Sequence, residues 1–194
     1  MITDHRRFII ELLTRDTVVA EIQKEMEHLL LIIPEIGHMV NFEHQHPHHH
    51  LNVWDHTLLA LSYSPNRLKT RLSLLLHDIG KPFCYQQDGN IKHYKGHAEQ
   101  SAKIAESVLD RLGFDREFTK EITEIILRHD TPLSETDITS SPTLSAEIFE
   151  AQKCDALAHN PEHNSKRLVY IDKTEAIFQA LANRDARHQE VIRD

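Results

Sequence analysis

The sequence predicts an all-α fold, a single-domain helical bundle, and three observations predict it. Glycine is scarce, at 5 of 194 residues. Apolar side chains recur three and four positions apart along most of the chain, the period of a helix with one buried face. Proline or glycine stands where that pattern breaks. At 22.5 kDa the chain is long enough to bury one sizeable core.

The elements follow in order. Phe8, Ile9, Leu12 and Leu13 stripe a first helix, and Val18, Val19, Ile22, Met26, Leu29, Leu30 and Ile33 a second, stopped by Pro34 and Gly37. After a histidine-rich loop, Asn52 with Asp55 three residues on reads as the N-cap of a helix carrying Val53, Leu58, Leu59 and Leu61. Ser64-Pro65-Asn66 restarts the chain, and Leu68, Leu72, Leu75 and Leu76 define a buried helix that Gly80 and Pro82 end. Within residues 83–94 the period is lost, and Asp88-Gly89 between Tyr85 and Ile91 signals one short β-hairpin. Helical spacing resumes from Ala98 to Leu112, stopped by Gly113, and again from Phe118 to Ile126, up to His129. The polar stretch Thr131 to Pro142 reads as loop. Two helices follow, about Thr143–His159 and Glu162–Ala182, with Pro161 starting the second and a polar tail from Asn183 to Asp194.

Charge narrows the function. With 22 Lys+Arg against 30 Asp+Glu, the net charge of −8 argues against a footprint for duplex DNA or an anionic membrane. A small phosphorylated substrate remains compatible, because a bound metal supplies positive charge locally. Cys84 and Cys154 form no motif and suit a reducing compartment. No signal-peptide pattern begins the chain, and the apolar run Leu29–Ile33 is too short to span a bilayer, so a cytoplasmic protein is expected.

Of the 16 histidines, five fall in Glu43-His44-Gln45-His46-Pro47-His48-His49-His50, a tract that can bind metal on its own. For His5, His28, His38, His163 and His188 an ordinary structural position is the better reading. The informative pair is His77-Asp78 at the end of an apolar helix. Adjacent helical residues point about 100° apart, so the two converge on one ion most easily at a terminus. His56, His97, His129 and Asp155, each in or at the end of its own predicted helix, complete a set of four imidazoles and two carboxylates. Mixed nitrogen and oxygen donors without thiolate fit divalent Mn, Fe, Co, Ni or Zn, with Mg also admissible. Two ions are expected, His56, His77, Asp78 and Asp155 on the first, and His97, His129 and a shared Asp78 on the second. Ions roughly 3.5–4 Å apart lower the pKa of a bridging water and hold a phosphoryl oxygen. Consistently, the chain has no Gly-x-Ser-x-Gly elbow and no Gly-rich phosphate loop. Asp78 is the central catalytic candidate, and Lys81, one turn past His77, a catalytic and substrate-phosphate candidate.

These residues carry a resemblance. His56, His77-Asp78 and Asp155 resemble the signature of the HD superfamily of metal-dependent phosphohydrolases, with His77-Asp78-Ile79-Gly80-Lys81-Pro82 a common wording of it, over about residues 43 to 160. His46-Pro47-His48, Val53-Trp54-Asp55-His56-Thr57-Leu58 and Lys95-Gly96-His97-Ala98-Glu99 look like the HD domain attached to some bacterial tRNA nucleotidyltransferases. The chain is expected to be that module standing alone, an HD domain with C-terminal helices over residues 41–194 preceded by a helical extension, residues 1–40, packed on its core.

The resemblance implies a metal site in a helix bundle and hydrolysis of phosphoesters, often of nucleotides. It matches His97 and His129 to the additional ligands of dinuclear members and sets the histidine-rich loop at the rim, where His50 and Glu43 become substrate-contact candidates. Arg128, beside His129, is a further one, weighed against a solvated position on an amphipathic helix. Some HD nucleotidases carry a Glu where this chain has Lys81, which argues against a simple nucleoside monophosphatase. Three functions share the same ligands. The preferred one is a phosphohydrolase acting on a nucleotide, a cyclic phosphate or an RNA-end phosphate. The others are a di-iron oxygenase cleaving a carbon bond, and a metal-braced, non-enzymatic module binding nucleotide or RNA.

Overall fold

Helices α1 (Ile2–Leu13), α2 (Val18–Lys24) and α3 (Met26–Ile32) lead through a 3-10 turn at Pro34–His38 into the histidine-rich loop. The structure, a computed structural model, describes the backbone of residues 2–191 and the side chains of residues 4–183. The second sequence-read helix is in fact two, because Glu25 leaves helical geometry at φ −98° and ψ 15°. The apolar stripe continues across that break, so hydrophobic spacing alone gives no sign of it.

Helix α4 (Val53–Ser62) begins at Asn52, whose Oδ1 accepts from the Asp55 amide at 2.8 Å. Helix α5 (Leu68–Leu76) is buried along most of its length. Beyond Leu76 the backbone tightens to i→i+3 bonds, with Ile79 donating to Leu76 and Lys81 to Asp78. Pro82 does not end a helix here. It sits in the first turn of a new one, α6 (Lys81–Cys84), where a missing amide costs nothing. The expected hairpin is β1 (Gln86–Asp88) against β2 (Ile91–His93), antiparallel with Asp88 opposite Ile91 and Gly89 at φ 57°.

Helices α7 (His97–Leu112) and α8 (Arg116–Leu127) pack on each other and on α5. The segment read as loop after Thr131 contains α9 (Glu135–Ser140), nucleated by a capping box in which Ser134 and Asp137 satisfy each other's amides. Helix α10 (Pro142–Ala158) lies against α4, α5, α8 and α9 and against α11 (Ser165–Val191). Pro161 starts a 3-10 turn, and α11 begins only at Ser165. The backbone of α11 stays helical through the expected polar tail to Val191; residues 192–194 lie outside the described residues.

One apolar cluster runs from Ile9 and Ile22 through Trp54, Leu75, Val108 and Ile148 to Ile171. Helices α1 to α3 thus share their core with the rest of the described chain. Buried Arg71 on α5 reinforces the join, donating to the carbonyls of Leu13 at 2.8 Å and Arg15 at 2.7 Å. The described helices include none long and apolar enough to cross a membrane.

Candidate metal centre

The helices deliver donors from opposite sides to one point. His56 comes from the first turns of α4, His77 and Asp78 from the turn after α5, His97 from the first residue of α7, His129 from the end of α8 and Asp155 from α10. The Asp78 carboxylate lies at the centre. Its Oδ2 faces His77 Nε2 at 3.3 Å and His56 Nε2 at 3.8 Å. Its Oδ1 faces His97 Nε2 at 3.5 Å and His129 Nε2 at 3.8 Å. Asp155 Oδ1 stands 2.8 Å from His56 Nε2 and 3.6 Å from His77 Nε2. Ligand atoms of His56, His77 and Asp78 lie within 4.8 Å of one another, as do those of Asp78, His97 and His129.

Gly80 makes the approach of α7 feasible. Its backbone is right-handed, at φ −83°, so no left-handed turn at Gly80 ends the helix. Instead a Cβ there would stand 2.5 Å from the Ser101 nitrogen and 2.8 Å from the His97 carbonyl. Its amide donates to Ser101 Oγ at 2.9 Å, fastening the His77–Lys81 turn to α7.

The donor set fits a metal on two counts. Each of the four imidazoles has Nδ1 on a backbone carbonyl, His56 on Ala158 at 3.2 Å, His77 on Leu74 at 2.7 Å, His97 on Tyr94 at 2.9 Å and His129 on Ile126 at 2.6 Å. A carbonyl accepts, so Nδ1 carries the proton and Nε2 turns its lone pair inward, the arrangement of a metal-ligating histidine. The Nε2 atoms of His97 and His129 face each other at 3.1 Å, two lone pairs that need a cation between them. In addition, His77 Nε2 and both Asp78 oxygens are buried without a hydrogen bond of acceptable geometry, although Lys81 Nζ forms an ion pair with Asp78 Oδ2 at 2.7 Å. Each such orphan costs about 1–3 kcal/mol, which coordination would recover.

The charges respond to this crowding. Burial would raise the Asp78 carboxyl, but His77 and Lys81 hold it well below the ordinary carboxylate range. Burial would likewise raise Asp155, and His159 and Arg167 hold it down. Burial lowers His77, yet Asp78 and Asp155 outweigh it and lift the imidazole to about 10. Without an ion, that proton takes its place.

A cavity of about 440 Å³ opens onto Asp78, Lys81, His97, His129 and Asp155. Lys81 is buried, with Nζ 3.1 Å from His44 Nε2 and 3.4 Å from His49 Nε2. Burial and the Lys81 charge push both imidazoles down, His44 to about 4, so they stay neutral beside the ammonium. Their rings stack with centroids 3.7 Å apart.

Three substrate-contact candidates fall outside this cavity. Glu43 is exposed in a bridge to Asn52, where its carbonyl receives Lys92 Nζ at 2.9 Å. His50 is exposed, because the loop turns at His46–His49 and sends His44 and His49 inward instead. Arg128 lies in a separate depression between α8 and α10, paired at 2.9 Å with Asp137, which the unforeseen α9 supplies. Sequence reasoning missed His44, His49, His159, Asp130 and Arg167, all brought to the cluster. His44 and His49 lay in the histidine-rich tract set at the rim, and Asp130 left its own signal, since His129-Asp130 repeats the dipeptide His77-Asp78.

This fold belongs to a recognised class. The sequence matches the HD domain family over residues 48–177, and the chain is a member of that family, whose members are generally metal-dependent phosphohydrolases binding divalent ions. It is also 35% identical over 104 residues to the CC-adding tRNA nucleotidyltransferase of Thermus thermophilus. That match covers 50% of this chain and 24% of the relative, so half of this chain corresponds to about a quarter of that protein.

Proposed function

We propose that the chain is a phosphohydrolase that uses a pair of divalent transition-metal ions to cleave a small phosphorylated substrate: a nucleotide, a cyclic phosphate or an RNA-end phosphate. One observation carries the reading. The two oxygens of buried Asp78 each address a separate pair of inward-turned imidazoles at the floor of an open cavity. His56, His77, Asp78 and Asp155 would hold the first ion, and His97, His129 and Asp78 the second. When bound there, such ions would make a hydroxide available at neutral pH and polarise a phosphoryl oxygen.

The chain's own side chains do the rest. Lys81, Lys166 and Arg167 line the cavity and balance the charges of Asp78, Asp130 and Asp155 there, so bound dications would leave it net cationic toward a phosphate. Lys81 offers a buried point charge held between Asp78 and the neutral imidazoles of His44 and His49. A cavity of about 440 Å³ suits a single nucleotide or a strand end. Neither cysteine competes as a nucleophile, since burial raises the Cys84 thiol and lifts Cys154 to about 12. The tRNA nucleotidyltransferase relative adds weight to a nucleotide or RNA end as substrate.

The test is a panel of phosphomonoesters and of 2′,3′- and 3′,5′-cyclic nucleotides with Mn, Co, Ni and Mg, read as phosphate or product release. Metal-stimulated turnover abolished by Asp78→Ala, with helical content retained, is expected. A silent panel, or purification with two irons and a mixed-valent spectroscopic signal, would overturn the hydrolase reading.

A further inference from the structure

The second half of the site repeats the first, with Asp130 standing where the first has Asp155. Asp155 Oδ1 faces His56 Nε2 at 2.8 Å and His77 Nε2 at 3.6 Å. Asp130 Oδ2 faces His97 Nε2 at 3.1 Å and His129 Nε2 at 3.4 Å. Arg167 bridges the two carboxylates, with Nη1 on Asp155 Oδ2 and Nη2 on Asp130 Oδ1. One planar guanidinium thus fixes both, leaving in each the oxygen that faces its histidines. Asp78 joins the two halves on one side, and Arg167 joins them on the other.

We propose that Asp130 is a ligand of the second ion, completing a set of Asp130 Oδ2, His97 Nε2, His129 Nε2 and Asp78 Oδ1. The proposal rests on the reading of two metal positions sharing Asp78. A solvated surface aspartate is the alternative, and the geometry disfavours it. Asp130 Oδ2 approaches two imidazole nitrogens whose lone pairs point at it, because their Nδ1 protons are committed to the Tyr94 and Ile126 carbonyls. Three acceptors converging on one point are stabilised by a cation held among them. With Asp130 included, each position has two histidines, its own carboxylate and one oxygen of the shared Asp78. The three carboxylates then fall one charge short of two dications, which leaves the centre cationic toward a phosphate.

The experiment is calorimetric titration of the metal-free full chain with Mn²⁺, alongside Asp130→Asn, which keeps the shape and removes the charge. The wild type is expected to take two ions. In the variant the first affinity stays while the second falls at least about tenfold. Asp130→Asn with both affinities unchanged, or with both lowered equally, overturns the proposal and leaves the dinuclear reading standing. A wild type that takes one ion sinks both. A crystal structure of the Mn-loaded wild type provides the check that depends on no variant. An Asp130 oxygen at a bonding distance of about 2.0–2.2 Å supports the assignment, and one left beyond about 3 Å refutes it.

Discussion

Replacing Gly80 by alanine tests whether the approach of α7 to the His77–Lys81 turn builds the second half of the centre. Gly80 has right-handed backbone, so alanine carries no conformational penalty there and its cost is steric. The added Cβ would meet the Ser101 nitrogen at 2.5 Å, the His97 carbonyl oxygen at 2.8 Å and the Gln100 carbonyl carbon at 2.9 Å, whereas ordinary contact starts at 3.4 Å. All three are backbone atoms, so no side chain can swing aside, and α7 must retreat by about 0.9 Å at its first turn. Overpacking of this kind costs about 1–3 kcal/mol, and at about 2–4 °C per kcal/mol the melting temperature should fall by roughly 2–12 °C. The retreat carries His97 away from His129 and Asp78, which now stand 3.1 Å and 3.5 Å from it. Ligand distances tolerate only about 0.2 Å, so the second ion should weaken sharply while the first, held from α4, α5 and α10, changes little. Differential scanning calorimetry and Mn²⁺ titration read both effects. Wild-type melting together with two wild-type affinities would refute the argument.

Other expectations follow from the charges and packing. In metal-free protein His44 and His159 are held to about 4, below an ordinary 6.5, so their stabilisation is present above pH 6.5 and lost as pH falls toward 4. Urea midpoints measured between those limits should drop, and a flat profile would contradict burial of neutral imidazoles. His77 runs the other way: raised to about 10, it stabilises the metal-free fold fully below pH 6.5 and loses that contribution as pH rises through 10. An ion must displace its proton, so metal affinity should climb with pH, and calorimetry in buffers of different ionisation enthalpy should register proton release. Arg71→Met should cost about 2–4 kcal/mol by urea denaturation, because it strands the Leu13 and Arg15 carbonyls, while metal stoichiometry stays at the wild-type value. Arg128→Ala should leave turnover within about twofold, because its partner Asp137 lies outside the metal cavity; a large loss of turnover would return it to the site.

The helical architecture was legible because each apolar stripe is local. The stripe of α7, the Asn52 cap and the Asp88-Gly89 turn signal all depend on residues within a few positions of one another. The failures were local too. Glu25 breaks a helix without interrupting its apolar face. Pro82 starts a short helix where it was read as ending one, and the Ser134–Asp137 box turns a polar stretch into α9. Polarity described that stretch correctly, but capping decided its conformation.

By itself the sequence determined the all-helical class and pointed to six of the candidate donors that meet around Asp78, because periodicity and dipeptides are written along the chain. The sharing of Asp78 between two groups of donors was already a sequence expectation; only the tertiary structure decided which atoms meet. It gave each Asp78 oxygen its own pair of histidines, turned His44 and His49 inward and His50 outward, and set Arg167 between Asp130 and Asp155. The reason is physical. A helix fixes which face a residue occupies, whereas convergence of atoms from α4, α5, α7, α8, α10 and α11 depends on how closely those helices pack, and that closeness turns on single atoms such as the Cβ that Gly80 lacks.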